Sequence, residues 1–115
     1  MLPNRMQLGR QTEDHLKRLK MQTGITPNVS ARIAFFRSIE SSFIYGGETI
    51  KLDGSLVLDK VTWLGDTASV TELVLKIKYP TFESRDLMKA WAAHVEDGIA
   101  ALRNHKNLLS FSEAL

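Results

Sequence analysis

Arg5, Arg10, Lys17, Arg18, Lys20 and Arg32 place six cations in the first third of the chain, and Gln7 stands between the first two. Long cationic side chains are the groups that hold a sugar–phosphate backbone, which asks for positive charge and donors rather than one exact spacing. Arginine can also read guanine bidentately, and glutamine can read adenine. Lys17 and Lys20 are three residues apart, so on a helix they share a face, with Arg10 close to the helix entrance and Arg18 turned partly elsewhere. Arg32 and Arg37 are five apart and form no tight pair. An interface salt bridge suits either of them as well as a phosphate does.

The charge is divided unevenly. Net charge is +2, but Met1 to Lys51 holds eight basic residues against four acidic ones, and the remainder holds seven against nine. This asymmetry fits an anionic partner for the leading half. It fits chance clustering on a solvated surface about equally well.

Catalytic and metal chemistry find little support. The chain has no cysteine, which removes disulfides, thiolate ligands and thiol nucleophiles together. His94 and His105 are eleven residues apart, roughly 16 Å along a helix, too far to share a metal. With His15 they read as ordinary surface or capping histidines. Asp53, Asp59 and Asp66 lack the spacing of a calcium loop and read as turn and cap residues. No phosphate-binding glycine loop, nucleophile elbow or triad order occurs, and Ser38, Ser41 and Ser42 have no evident base beside them. The expectation is a protein without enzymatic activity, cofactor or metal.

These side chains need elements to position them. Arg5 to Gly9 alternates, Met6 and Leu8 on one side and Arg5 and Gln7 on the other, as a short strand does. Thr12 as a cap, Glu13 and Asp14 in a first turn, and Leu16 and Leu19 as an apolar stripe extended by Met21 or Thr23 predict a helix over 12–23, stopped by Gly24. Thr26-Pro27 starts a second helix over 27–45, with Val29, Ile33, Phe36 and Phe43 as its stripe, Ile39 and Ala34 beside them, and Gly46-Gly47 as its end. Phe35 lies off that stripe and reads as an oligomer contact or an exception.

Residues 48–65, with a turn at Asp53-Gly54, read as a hairpin or as an irregular connection covering the core, the second suiting the pattern better. A further helix begins at Thr67 or Ser69, carries Val70, Leu73, Val74 and Ile77, and stops at Pro80. Ser84 caps a last helix on which Leu87, Met88, Trp91, Val95, Ile99 and Leu102 recur at helical spacing. Trp63 and Trp91 suit core packing better than base stacking. The apolar residues of the 107–115 tail suggest that it docks on its own domain or on a neighbour.

The predicted architecture is therefore mainly α: a ribbon-helix-helix-like core of one short N-terminal strand and two helices, plus two further helices, in a single DNA-binding domain spanning 1–115. In such a core, strands from two chains pair, because a five-residue strand alone leaves its backbone unsatisfied. No apolar run approaches the ~18 residues of a membrane span, and the first ten residues lack the apolar stretch of a signal peptide. The chain reads as cytoplasmic, with no membrane partner.

Nearly end to end, the chain resembles the DndE family of DNA sulfur modification proteins. The resemblance is carried by Pro3-Asn4-Arg5-Met6-Gln7-Leu8, Leu16-Lys17-Arg18-Leu19-Lys20, Thr23-Gly24-Ile25-Thr26-Pro27-Asn28, Ala31-Arg32-Ile33-Ala34 and Thr62-Trp63-Leu64-Gly65-Asp66. It implies an accessory of the complex that replaces a non-bridging phosphate oxygen of DNA with sulfur, the sulfur chemistry residing in a cysteine desulfurase, an iron–sulfur sulfurtransferase and an ATPase. It also implies a tetramer that favours nicked duplex DNA. Two other readings stay open: a ribbon-helix-helix repressor, and an adaptor that holds the modification enzymes together without touching DNA, for which Phe35 and the Leu108–Phe111 tail would serve.

Overall fold

Two tight stops organise the first half of the chain. Gly24 adopts a left-handed φ of 78° and its N–H bonds to the Lys20 carbonyl at 2.8 Å, closing helix α1 (Arg10–Thr23). Helix α2 (Pro27–Glu40) starts three residues later, with proline where its missing N–H costs nothing. The computed structural model describes residues 2–102. Strand β1 (Arg5–Met6) precedes α1. After α2 come β2 (Leu58–Asp59), the short α3 (Lys60–Leu64), a 3-10 turn (Gly65–Thr67), α4 (Ala68–Lys78) and α5 (Ser84–Leu102). The mainly helical architecture and the strand–helix–helix order agree with the sequence. The tail residues 107–115 and His105 lie outside the described residues.

β1 finds its partner within the chain. It pairs antiparallel with β2, Arg5 opposite Asp59 and Met6 opposite Leu58. Lys60 N–H bonds the Asn4 carbonyl at 2.7 Å, and Gly54 N–H bonds the Leu8 carbonyl at 2.9 Å. The backbone need that called for a second chain's strand is thus met on this edge by the 54–60 segment. The 48–65 stretch, read from sequence as a hairpin or an irregular connection, supplies β2 and α3.

The core forms where α2 crosses α5. Gly98 lies so close to α2 that a Cβ there would sit 1.9 Å from the Ala34 carbonyl oxygen. Such an approach admits only small side chains at the crossing, and the face of α2 that is buried carries Ser30, Ala31, Ala34, Phe35 and Ser38. The expected stripe is therefore displaced. Val29 is exposed, Ile33 and Phe36 are half-buried, and Phe35 is a core residue rather than an outward contact. α2 also ends at Glu40, not 45, because the Ser41 hydroxyl donates to the Ser38 carbonyl at 2.6 Å and accepts from Phe43 N–H at 3.2 Å.

α5 follows its predicted stripe: Leu87, Trp91, Val95, Ile99 and Leu102 are buried. Trp63 of α3 packs on Trp91 with ring centroids 5.5 Å apart, and its indole N–H donates to the Met6 carbonyl at 3.0 Å. α4 departs from expectation. Thr71 and Leu75 face inward, whereas Leu73 is 60% and Ile77 71% exposed, with Val70 exposed beside them. Met21, assigned to the α1 stripe, is likewise 87% exposed.

The start of α1 is held from a distance. Its first residue is Arg10, and that N–H bonds the Asp53 carboxylate at 2.8 Å, so Asp53 rather than Thr12 caps it. One turn on, Glu13 is buried. Its carboxylate accepts from the Ser55 hydroxyl at 2.6 Å and from Leu56 N–H at 2.9 Å, and pairs with Lys17 at 3.1 Å. Burial alone would raise the Glu13 carboxyl, but the bonds from Ser55, Leu56 and Lys17 outweigh it and hold the group below its ordinary 4.5. A lowered value means stability that is present at neutral pH and lost as pH falls below 4.5. Glu13→Gln, which sets an amide against these donors, should lower unfolding free energy by about 1–3 kcal/mol in urea denaturation at pH 7. A change within about 0.5 kcal/mol would show that the carboxylate does not tie the 53–56 segment to α1.

Candidate nucleic-acid interface

Leu16 and Leu19 turn one side of α1 to the core, and this fixes what the other side presents. Arg10, Lys17, Arg18 and Lys20 are all exposed. At 3.6 residues per turn they fall within roughly 160° of arc around the helix. Asp14 and Met21 are exposed on the same side. Lys17 is bridged to Glu13, which neutralises part of its charge, while Arg18 and Lys20 join no ion pair among the described residues.

The three remaining candidates sit elsewhere and differ in freedom. Arg5 is exposed on β1, opposite Asp59 in the ladder. The Asp59 carboxyl lies below its ordinary value, first through hydrogen bonds from the Thr62 side chain and backbone and also through the nearby Arg5 charge. Gln7 is half-buried, and its amide donates to the Gly54 carbonyl at 2.6 Å. It lies against the chain's own turn, not outward as the strand alternation suggested. Arg32 donates from Nε to the Trp63 carbonyl at 2.8 Å and from a terminal nitrogen to the Thr62 carbonyl at 3.1 Å. Two of its donors therefore close the end of α3.

One cation was missed by sequence reasoning. Lys51 is exposed and shares with Arg10, Gln11, Thr12, Thr49 and Asp53 an open cleft of about 450 Å³ at the head of α1. Its neighbourhood depends on the path of the 48–57 segment, for which no periodicity gave a signal. The Asp53 carboxyl there lies below its ordinary value, chiefly because Arg10 N–H bonds to it. Among the described residues no group of acids and histidines could hold a metal ion, and no helix is long and apolar enough to cross a membrane.

Several runs noted in the sequence meet around α3. Asn28 donates to the Thr62 carbonyl at 3.2 Å, beside the two bonds from Arg32. The Arg32 guanidinium lies over Gly65, whose φ is 53° and where a Cβ would come within 2.8 Å of an Arg32 nitrogen. Gly65→Ala should therefore lower stability by about 1–3 kcal/mol, from backbone strain and displacement of Arg32. Thermal unfolding of the variant checks this; an unchanged melting temperature would refute the clamp.

His94 overturns its expected place. It is buried at 0% exposure, with Nδ1 2.8 Å from Ser38 Oγ and Nε2 2.7 Å from the Tyr79 hydroxyl. A histidine thus stands beside Ser38 across the α2–α5 crossing, but Ser38 gives its proton to Asp97 and is itself buried. His15 is half-buried beside Arg18, Leu19, Gln22 and Ile99.

The family of the DNA sulphur modification protein DndE matches residues 5–110. Among solved structures, DndE from Escherichia coli B7A, involved in DNA phosphorothioation modification, is 68% identical with a TM-score of 0.86, over 89% of this chain and 100% of that one. A mutant DndE involved in DNA phosphorothioation is 66% identical with a TM-score of 0.83, over 88% and 98%. No curated protein matches the chain.

Proposed function

The chain belongs to the DndE family of DNA sulphur modification proteins, and from that premise we propose that it is the DNA-binding accessory subunit of a DNA phosphorothioation complex. The observation that carries this reading is the outer side of α1, where Arg10, Arg18 and Lys20 are exposed and Lys17 stands between them. Lys51, and Arg5 on β1, extend the set. Such a surface suits phosphates rather than base edges, because it offers charge without a fixed donor pattern. Gln7 and Arg32 spend donors on the chain's own carbonyls, so they are weaker candidates for contact than the α1 residues.

The chain acts on DNA by holding it, as one domain over 1–115, and leaves sulfur transfer to partner subunits, a sulfurtransferase and an ATPase. With no cysteine it has no thiol to carry a persulfide. Several copies, as in a tetramer, would repeat the α1 face and build from a +2 chain a surface able to release many counterions. The uncovered apolar side of α4, with Leu73 and Ile77, is suited to contacts between such copies. Binding of intact and nicked duplexes at two salt concentrations tests the reading. Tight, salt-sensitive binding supports it. Retention of the partner subunits with no DNA affinity would replace it by the adaptor reading, which the same α4 face favours.

A further inference from the structure

Between α2 and β2 the chain crosses the outside of α5, and along residues 41–50 only Tyr45 is buried. Its N–H donates to the Tyr79 hydroxyl at 2.8 Å. Among the described residues that is the one hydrogen bond from 43–50 to the helices. The others are local: Phe43 N–H to Ser41, the Tyr45 hydroxyl to the Glu48 carbonyl, and Gly46 N–H to the Glu48 carboxylate at 3.1 Å. Gly47, with φ at 87°, forms the bend.

The Tyr79 oxygen is one link in a chain whose direction is fixed by its far end. Ser38 has a single hydroxyl proton, and it goes to Asp97 Oδ2 at 2.7 Å, because a carboxylate only accepts. Ser38 Oγ must then accept from His94 Nδ1, which therefore carries the ring proton. Nε2 is left with its lone pair and takes the Tyr79 proton, and the Tyr79 oxygen is left to accept Tyr45 N–H. Each group has one role, and none can reverse without orphaning a buried neighbour.

We propose that residues 43–50 are a strap latched to the helical core through Tyr79, and that the latch closes only while His94 is neutral with its proton on Nδ1. A second proton on His94 would turn Nε2 into a donor facing the Tyr79 hydroxyl. The tyrosine proton would lose its acceptor in a buried site and turn towards the side from which Tyr45 N–H approaches, which weakens that bond. The groups facing His94 are Ser38 and Phe35 from α2, the charge of Lys78 from α4 and Tyr79 just beyond its end, Phe43 from the strap, and Asp97 of α5 through Ser38. Burial first, and Lys78 second, push His94 down to about 4, so the latch is closed at neutral pH and opens on acidification. Thr49 and Ile50 at the strap's far end line the cleft that holds Arg10 and Lys51, so the latch sets one wall of it.

Two measurements on the whole chain, without DNA, test this apart from the DNA-binding reading. Long-range nitrogen–proton NMR should show the His94 ring as the Nδ1–H tautomer at pH 7. Amide hydrogen exchange of the Tyr45 N–H should accelerate by at least about tenfold in Tyr79→Phe, with α1, α2 and α5 unchanged. An Nε2–H tautomer would overturn the proposal, as would exchange that stays the same or accelerates in strap and helices alike. Should Tyr79→Phe not fold, wild-type exchange decides: on going from pH 7 to below pH 4, protection of the Tyr45 N–H, corrected for the intrinsic exchange rate, must fall while the helices keep theirs, and unchanged protection would overturn the proposal.

Discussion

Gly98→Ala should lower the unfolding free energy by at least about 3 kcal/mol and the melting temperature by more than about 10 °C. The added methyl would sit 1.9 Å from the Ala34 carbonyl oxygen, 2.5 Å from its carbon and 2.8 Å from its Cα. These are backbone atoms, so no rotamer change relieves the overlap, and trimming Ala34 to glycine would not either. The helices must separate at the crossing that also holds Phe35 against His94 and Ser38 against Asp97. Overpacking of a core commonly costs about 1–3 kcal/mol and more where backbone has to move. Urea and thermal denaturation measure it. A loss under about 1 kcal/mol would mean that the crossing is looser than described.

The second large effect is on DNA. Arg18→Glu with Lys20→Glu should weaken duplex binding at least about tenfold and flatten its salt dependence, to a similar degree on every sequence. Both side chains are exposed and join no ion pair among the described residues, so their reversal leaves the fold intact. Lys17→Glu would be a poorer probe, because it would replace the ammonium that pairs with Glu13 at 3.1 Å by a second carboxylate and confound binding with stability. Circular dichroism and melting should match the parent. Undiminished affinity in a folded double variant would remove the α1 face from the interface.

The two main helical faces show what could and could not be read from the sequence. α5 was legible because its buried positions are mostly large and apolar, and Leu87, Trp91, Val95, Ile99 and Leu102 recur at the helical period. α2 was misread for the opposite reason. Its buried side at Gly98 is built from Ser30, Ala31, Ala34 and Ser38, while the bulkier Val29, Ile33 and Phe36 flank the contact. A search for large apolar residues finds the flank, since close approach selects for absence of bulk. α4 misled likewise, its periodic Val70, Leu73 and Ile77 facing outward.

The candidate site was legible where one helix carried it. The spacing of Lys17, Arg18 and Lys20 against Leu16 and Leu19 sufficed to turn them outward. It was not legible where a residue's freedom depends on distant backbone. Nothing near Arg32 in sequence announces the carbonyls of Thr62 and Trp63, and nothing near Gln7 announces Gly54. The same holds for the Asp53 cap on Arg10, the Lys51 cleft and the Ser38–His94 contact, each set by long-range packing.

The most direct measurement is the dissociation constant of the wild-type chain for a duplex of fixed length, in intact and nicked forms, across a series of salt concentrations. The expected result is a linear fall of log affinity with log salt, with a slope of several units, reflecting several phosphates held at once, and with the nicked duplex bound more tightly. Affinity that is absent at low salt, or that does not change with salt, would contradict a cationic cradle for the DNA backbone.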